Sequence, residues 1–433
     1  VAIVTGLLFG VVPALRATRT RTSVVGASRR TTRDAGQQRF SGLLVAGEIA
    51  LAVMVVIASG LLVRSFAELR AVEPGFTTER VLAARVSPPT VTYNDPKRLL
   101  AMYERVMAEV AGAPGVQGVG YVDKLPLAQA VWGIAIRVQG QFEDGSRILP
   151  EIAHFQVVSP GYFSTLRIPI RQGRNFTDAD RDDQMPVAII SESVARRFWP
   201  KGDALGQRIG YPYPSPWLTI VGVVADVKQD SLRDTSTASV YAPWLQEGSR
   251  RLSQGEMWLL ARTSADPGTV AAQIRKAVAD ADGTVAVSDI RTMDAVLSDS
   301  VAKARFTMLL VTLFGVAALL LGAVGIYGVM SYIVGQRAPE MGIRLALGAT
   351  PRQVLALVIR RGALLAALGT TGGVIAAFFL TRSLSSFLYG VSAVDPVTFV
   401  GVPLLFLLVA AVASWVPGRR ATRVDPSASL RSD

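Results

Sequence analysis

The side chains whose types could support a reaction lie close together in one stretch of the sequence. His154 is followed by Ser159 and Gly161, within the segment HFQVVSPGYF. A serine near a histidine suggests acyl transfer, because an imidazole can accept the hydroxyl proton. The segment has no G-x-S-x-G nucleophile elbow, so its spacing is not typical of a hydrolase. We therefore predict no catalytic residue and do not expect an enzyme.

Metal and cofactor chemistry is equally poorly supplied. The chain has no cysteine and one histidine, so neither a thiolate site nor the usual set of imidazole ligands can form. No G-x-x-x-x-G-K-[ST] motif is present, so the chain is not expected to cradle ATP itself. We predict no metal site and no cofactor, and any ATP would be bound by another subunit.

The most informative segment is 335–353, with the sequence GQRAPEMGIRLALGATPRQ. Glu340 and Arg344 are four residues apart and would pair on a short helix that Gly348 ends. The candidate contact residues of this segment are Arg337, Glu340, Met341, Ile343, Arg344 and Leu347. A short amphipathic helix here could transmit force from an ATPase. Periodicity alone fits an ordinary loop in the lipid headgroups as well.

This segment lies among long apolar blocks. Half of the 433 residues are hydrophobic and the formal net charge is +12. Such a charge could indicate nucleic-acid binding, but the arginines cluster beside the apolar blocks. Clusters of that kind are typical of membrane proteins, so we expect a lipid bilayer and no nucleic acid as partner.

The blocks predict a membrane α-helical protein with four full spans plus a truncated one. The spans are 40–63, 305–334, 354–380 and 396–416, and 1–15 is interpreted as the tail of a preceding helix, in a chain that begins as a fragment. Thr350-Pro351 and Asp395-Pro396 are helix-start pairs for the third and fourth spans. The connecting segments are a basic linker (16–39), a large domain (64–304), a coupling loop (335–353), a short loop (381–395) and a tail (417–433).

Arginine placement predicts the orientation. The segments 16–39, 335–353 and 417–433 are rich in arginine, whereas 381–395 holds only Arg382. Because basic segments stay in the cytoplasm, the domain 64–304 and the loop 381–395 must lie outside. The arginines of 16–39 could also bind anionic lipid, and topology control explains them equally well.

The domain 64–304 has the pattern of an α+β fold. Short apolar runs alternate with amphipathic segments and with turns of Gly, Pro and Asp. Strands are predicted near 81–86, 116–122, 134–138, 152–158, 187–190, 218–224, 257–261 and 284–287. Helices are predicted near 97–111, 191–198, 269–281 and 293–300.

Two further features belong to the spans. Glu48 is the single charge in 40–63, and either a transport role or an interhelical hydrogen bond would explain it. The span 354–380 carries small residues at four-residue intervals, which let helix backbones approach closely. These packing residues are Gly362, Ala366, Gly369, Gly373 and Ala377.

A short repeat links the two ends of the chain. The sequence PALRATR at 13–19 matches PGRRATR at 417–423, and each follows an apolar run. We interpret the parent protein as duplicated, with this chain as its second copy.

Several motifs resemble known permeases. The segment RxxEMGIRLALGATPRQV resembles the signature of FtsX-like permeases. The segments VVSPGYFSTLRIPIRQGRNFTDAD, VAIISESVARRFWPKGDALGQRI and LTIVGVVADVK resemble the MacB-type periplasmic core domain. The runs VSDIRTMDAVL and RSLSSFLYGVSAVDP, with the C-terminal segment, resemble the duplicated orphan permeases of acidobacteria.

This resemblance implies a permease subunit in the bacterial inner membrane, with a large α+β extracytoplasmic core domain in the periplasm. In the family the loop 335–353 would be the coupling helix that docks on a nucleotide-binding ATPase subunit. ATP hydrolysis would then move the periplasmic domain in efflux or extrusion, by mechanotransmission. A permease dimer or an intramolecular duplicate is the expected assembly. The alternative is an ATPase-independent membrane scaffold or sensor that binds a periplasmic partner.

Overall fold

The computed structural model describes residues 30–128, 133–140, 152–211, 216–234, 238–246, 255–383 and 385–422. Its contacts divide these residues into two units. One unit takes the residues up to Arg64 and those from Leu310, and the other is Ser65–Leu309. The predicted helix tail 1–15, most of the basic linker and residues 423–433 lie outside the described residues.

Helix α1 (Arg30–Arg70) has 41 residues and is longer than the predicted span 40–63. At 1.5 Å per residue it is about 60 Å long, roughly twice the thickness of a bilayer core. Hydropathy marks only its apolar part, whereas the flanking Arg, Gln and Glu residues are good helix formers and continue the helix. The final part of the predicted linker is therefore helical from Arg30.

The second unit contains twelve strands and five helices among its described residues. In chain order they are β1 (Val81–Ser87), α2 (Pro96–Ala111), β2 (Val116–Val122), β3 (Gly133–Ala135), β4 (Arg137–Val138), β5 (Ile152–Val158), α3 (Tyr162–Leu166), β6 (Ile170–Gly173), β7 (Val187–Ser191), α4 (Glu192–Phe198), β8 (Arg208–Gly210), β9 (Leu218–Val224), β10 (Ser239–Pro243), β11 (Met257–Thr263), α5 (Pro267–Ala281), β12 (Ala286–Thr292) and α6 (Met293–Ser300).

These strands form one mixed sheet in the order β12-β1-β11-β2-β5-β10-β7-β9-β8-β4, with β3 paired to β5 and β6 to β9. The pairs β5–β10 and β7–β9 are parallel. Strand β11 is buried along its whole length, as its central place in the sheet requires. The core beneath the sheet includes Tyr103, Tyr121 and Trp244, whose rings lie 4.9 to 6.0 Å apart.

Two strand predictions differ from the structure. The predicted strand 134–138 is two strands, β3 and β4, which pair with different neighbours. The strand predicted at 284–287 is β12, Ala286–Thr292. It lies at the sheet edge and none of its residues is fully buried, so its hydrophobic pattern is weak.

Four further helices complete the first unit. They are α7 (Ala302–Gln336), α8 (Ala338–Ala346), α9 (Pro351–Ser383) and α10 (Pro396–Ala421), with a 3₁₀ turn at Ser385–Phe387. Both predicted helix starts are confirmed. Thr350 and Gln353 exchange hydrogen bonds at the start of α9, and the Asp395 carboxylate accepts from Thr398 N at the start of α10.

Helices α1, α7, α9 and α10 are each long and apolar enough to span a membrane. Their shared core includes Ile49, Val53, Ile326, Ala366 and Phe406. Large apolar side chains cover the outward faces of the same helices, as lipid-facing surfaces require.

Candidate functional site

The short helix α8 packs against the bundle through Met341. Met341 is 4% exposed and belongs to the bundle core with Val334, Val354 and Val358. Gly348 follows the helix at φ +95°, a left-handed conformation that glycine adopts without strain, and it reverses the chain toward α9. The α8 segment is thus held between α7 and α9 by packing and by a glycine turn.

A second face of α8, beside Met341, is exposed. Glu340, Ile343, Arg344 and Leu347 have the i, i+3, i+4, i+7 spacing of one helix face, and the Leu347 amide still donates to Ile343 O at 2.9 Å. Ile343 is 50% exposed and Leu347 is 83% exposed. Arg344 Nη2 donates to Glu340 Oε1 at 2.7 Å. We call these four residues the α8 face; it presents an ion pair flanked by two apolar side chains.

Arg337, the remaining predicted contact residue, lies in the turn between α7 and α8. Its Nη1 is 3.9 Å from Glu340 Oε2, so the Glu340 carboxylate has arginines on both of its oxygens. The structure therefore places all six predicted residues of the loop together, with Met341 turned inward.

The small residues of α9 face two different helices. A Cβ on Gly369 would lie 2.7 Å from Ala46 O, and a Cβ on Gly373 would lie 2.6 Å from Ala50 O. Both glycines thus touch the backbone of α1 directly. Gly362 faces Ser414 of α10 instead. Ala366 and Ala377 are fully buried.

Glu48 of α1 lies against α7. A Cβ on Gly325 would lie 2.6 Å from Glu48 Oε2, so the absence of a side chain there makes room for the carboxylate. Among the described residues Glu48 has no hydrogen bond or ion pair. An interhelical hydrogen bond, one of the two explanations that the sequence left open, is therefore not found there. The half-buried side chain occupies the notch at Gly325.

At the other end of the bundle an ion pair that was not predicted joins α1 to α10. Arg64 Nη1 lies 2.5 Å from Asp395 Oδ1, and Asp395 Oδ2 accepts from Thr398 N and Oγ1 at 2.8 and 2.7 Å. Burial raises the pKa of Asp395, but the hydrogen bonds from Thr398 and Arg64 outweigh burial and hold that pKa below its usual value. A Cβ on Gly60 would lie 2.9 Å from Thr398 Cγ2, so the helices are also close here.

Buried polar groups in the second unit were also missed. Arg262 is 6% exposed and donates to the carbonyls of Thr165, Glu79 and Thr77 at 2.8, 3.0 and 3.4 Å. Asp123 accepts from Val157 N at 2.9 Å, and burial raises the pKa of Asp123 to about 6. Both groups replace water with backbone partners, which is a structural role.

The residues first considered for chemistry are separate. Ser159 Oγ accepts from Tyr121 N at 2.8 Å, and His154 lies on β5 beside β3 and β10. Within the described ranges no group of three or more His, Cys, Asp or Glu side chains could hold a metal ion.

The structure contains a bundle of four potential spans and a large α/β unit, and the helices α1 and α7 belong to both. These features define a multi-pass membrane protein with an extramembranous domain. Comparison with known families assigns both parts. Residues 41–277 match the MacB-like periplasmic core domain, and residues 312–426 match the FtsX-like permease C-terminal domain. The chain belongs to the family of MacB- and FtsX-like ABC permeases.

Curated relatives agree with this family. The chain is 25% identical over 285 residues to the macrolide export ATP-binding/permease protein MacB of Escherichia coli K12. It is 27% identical over 286 residues to a probable export ATP-binding/permease protein of Pseudomonas fluorescens. The alignments cover 63% and 64% of this chain and 42% of each relative, so the chain spans less than half the length of these proteins.

Solved structures that match part of this chain include the periplasmic region of MacB from Actinobacillus actinomycetemcomitans. The match has 13% sequence identity and a TM-score of 0.34, and it covers 53% of this chain and 95% of the solved chain. A second match is a domain of a putative permease from Porphyromonas gingivalis. It has 16% sequence identity and a TM-score of 0.31, and the alignment covers 50% of this chain and 92% of the solved chain.

Proposed function

We propose that this chain is the permease subunit of an ABC transporter and that the α8 face receives a separate nucleotide-binding ATPase subunit. The observation that carries the proposal is the arrangement of α8. Met341 fixes the helix to the bundle core, while the α8 face exposes an ion pair between two apolar side chains. Interfaces combine apolar contact area with charge recognition in this way.

The second unit would be the part of the chain that ATP hydrolysis moves. ATP would be bound by the partner subunit, and this chain would have no catalytic activity of its own. Movement of α8 would be passed by α7 and α1, which continue from the bundle into the second unit, to a domain in the periplasm. The curated relatives are named as export proteins, which supports efflux or extrusion of a periplasmic substrate from the inner membrane.

The assembly is part of the same proposal. Two permease copies would act together, either as a dimer of chains or as a duplicate within one parent protein. The repeated PALRATR and PGRRATR sequences support the duplicate, as in the orphan permeases that the motifs resemble.

Charge reversal of Arg344 tests the ATPase contact. Arg344→Glu places two like charges four residues apart, which costs only a few tenths of a kcal/mol on an exposed helix. A charge that faces a partner costs much more, so we expect normal membrane abundance with at least a roughly tenfold loss of ATPase co-purification.

Lys276→Glu is the matched control. Lys276 and Asp280 of α5 form an exposed pair four residues apart with the same 2.7 Å distance, but in the second unit. This variant should retain the ATPase. The swap Glu340→Arg with Arg344→Glu restores an ion pair but reverses the α8 face, so it should still fail to bind.

Three results would count against the proposal. Full ATPase occupancy with Arg344→Glu would refute the contact at the α8 face. If the charge swap recovered binding, the loss caused by Arg344→Glu would be due to local helix stability and not to a contact with the ATPase. If the wild-type chain recovered no ATPase from native membranes, the scaffold or sensor function would be the better account.

A further inference from the structure

Positive charge accumulates at the end of the bundle that carries α8. Among the residues whose side chains the structure describes, seven arginines lie there, at positions 337, 344, 352, 360, 361, 419 and 420, and Glu340 is the one acid at that end. That acid is already engaged by Arg337 and Arg344. Among the side chains that the structure describes, no carboxylate pairs with Arg352, Arg360, Arg361 or Arg420.

Two of these arginines lie inside the helix that spans the membrane. Arg360 and Arg361 are nine and ten residues after Pro351, where α9 begins. Gly362, the next residue, lies against Ser414 of α10, the neighbour of Trp415. Consecutive arginines in a potential span require either an anion or the headgroup region.

Trp415 indicates the depth of this pair. It is 46% exposed, and the Arg419 guanidinium lies 5.0 Å from its ring centroid. Exposed tryptophans of membrane helices sit at the level of the headgroups. Because Gly362 packs at the level of Ser414, the Arg361 guanidinium lies near the same level, within reach of lipid phosphates.

Arg361 is the inward member of the pair. It is half-buried, and Arg337 and Glu340 lie close enough for their charges to act on it. Since Glu340 is shared by Arg337 and Arg344, the cluster of three arginines and one glutamate keeps an excess of positive charge. An anion between Arg337 and Arg361 would relieve the repulsion between them. Arg360 is exposed on the outward side of α9.

We propose that Arg361 and Arg337, with Arg360 beside them, form a binding site for the phosphate headgroup of an anionic glycerophospholipid. Guanidinium groups bind phosphate through paired N–H donors, and basic pockets between helices at the cytoplasmic side suit lipid headgroups. The acyl chains would lie along the apolar outward face of α9, where Leu357 and Leu364 are exposed. The site adjoins Glu340, so lipid and ATPase contacts would share one segment.

The test uses the purified full chain without any ATPase. The protein is placed in nanodiscs of phosphatidylcholine, or of phosphatidylcholine with phosphatidylglycerol, and its thermal unfolding midpoint is measured. Retained phosphatidylglycerol is counted by native mass spectrometry. We expect phosphatidylglycerol to raise the midpoint by several degrees and to remain bound. Inorganic phosphate at the same concentration should do neither.

The double variant Arg360→Gln with Arg361→Gln should lose at least half of that rise and the retained lipid. Its midpoint in phosphatidylcholine shows whether it is folded. The control, Arg305→Gln with Arg382→Gln, removes the same charge from the opposite ends of α7 and α9 and should behave like the wild type. An undiminished rise in the double variant would overturn the site. If the control variant lost as much of the rise in midpoint, the effect would be due to net charge and not to this site. If inorganic phosphate raised the midpoint equally, the ligand would be a free anion and not a lipid.

Discussion

Adding one methyl group at Gly373 should separate α9 from α1. A Cβ there would lie 2.6 Å from Ala50 O, 2.7 Å from Val53 Cβ and 2.9 Å from Val53 Cγ1. Ordinary carbon contacts need about 3.5 Å. Because two of the three opposing atoms are backbone or Cβ atoms, no rotamer change can make room. The Gly373→Ala variant must therefore move one helix by roughly 1 Å.

The cost of that movement can be compared with a neighbour on the same helix. A Cβ on Gly372 would meet Ala50 Cβ at 3.7 Å, an ordinary contact. Glycine to alanine in a helix gains up to about 1 kcal/mol of intrinsic propensity in water, and this gain is common to both variants. Overpacking costs about 1–3 kcal/mol and applies to Gly373→Ala alone. The two variants should therefore differ by roughly 1–3 kcal/mol in unfolding free energy.

The assay is thermal unfolding of both variants in one detergent. At about 2–4 °C per kcal/mol for a unit of this size, Gly373→Ala should unfold several degrees below Gly372→Ala. Gly401→Ala is a second control, because nothing lies within 4 Å of a Cβ at that position of α10. Equal midpoints for Gly373→Ala and Gly372→Ala would refute the backbone contact between α1 and α9.

Three further predictions concern the second unit and the topology. The fragment 66–304 should fold alone in solution, because the described core of the second unit is made by its own residues. Circular dichroism checks this, and an insoluble or unfolded fragment would contradict it. In that fragment the raised pKa of Asp123 means that its contribution to stability is full below pH 3.8 and is lost as the pH rises through about 6. Asp123→Asn keeps an oxygen that accepts from Val157 N. Between those two pH values its free energy of unfolding should rise by roughly 3 kcal/mol relative to the wild type. Urea unfolding of both proteins across this pH range checks this, and a difference that does not change with pH would exclude the effect. A cysteine at Ser385 should react with an impermeant maleimide in spheroplasts and one at Gln336 should not, on a background free of native cysteine; reversed labelling would invert the orientation.

The spans and most strands could be predicted because their signals are local. An apolar run or an alternating pattern is contained within one element, so 116–122, 152–158 and 218–224 match β2, β5 and β9 to the residue. Helix α1 extends beyond its predicted span because hydropathy ends where polar helix formers begin. The short strands β6, β8 and β10 escaped prediction, since three to five residues carry too little pattern.

Contacts between distant segments could not be predicted in the same way. The spacing of Gly369 and Gly373 defines a face of α9, but not that α1 covers it while α10 covers Gly362. Arg64 and Asp395 are 331 residues apart, and nothing in either local sequence indicates the other. The fit between Glu48 and Gly325 depends on the approach of two helices, which the sequence of each leaves open.

If α8 receives a force, as proposed above, the contacts of α1 would carry that force through the bundle. Helix α1 meets α9 through Gly369 and Gly373, α10 through Asp395 and α7 through Ser59, whose Oγ is 3.2 Å from Thr312 Oγ1. Three different helices thus converge on it, and the contact with α9 is made by backbone atoms that cannot yield. Because Met341 joins α8 to the same bundle core, displacement of α8 would be resisted by packed side chains and passed on to α1. Substitution at Gly373 should then weaken coupling as well as stability, whereas substitution at Gly372 should do neither.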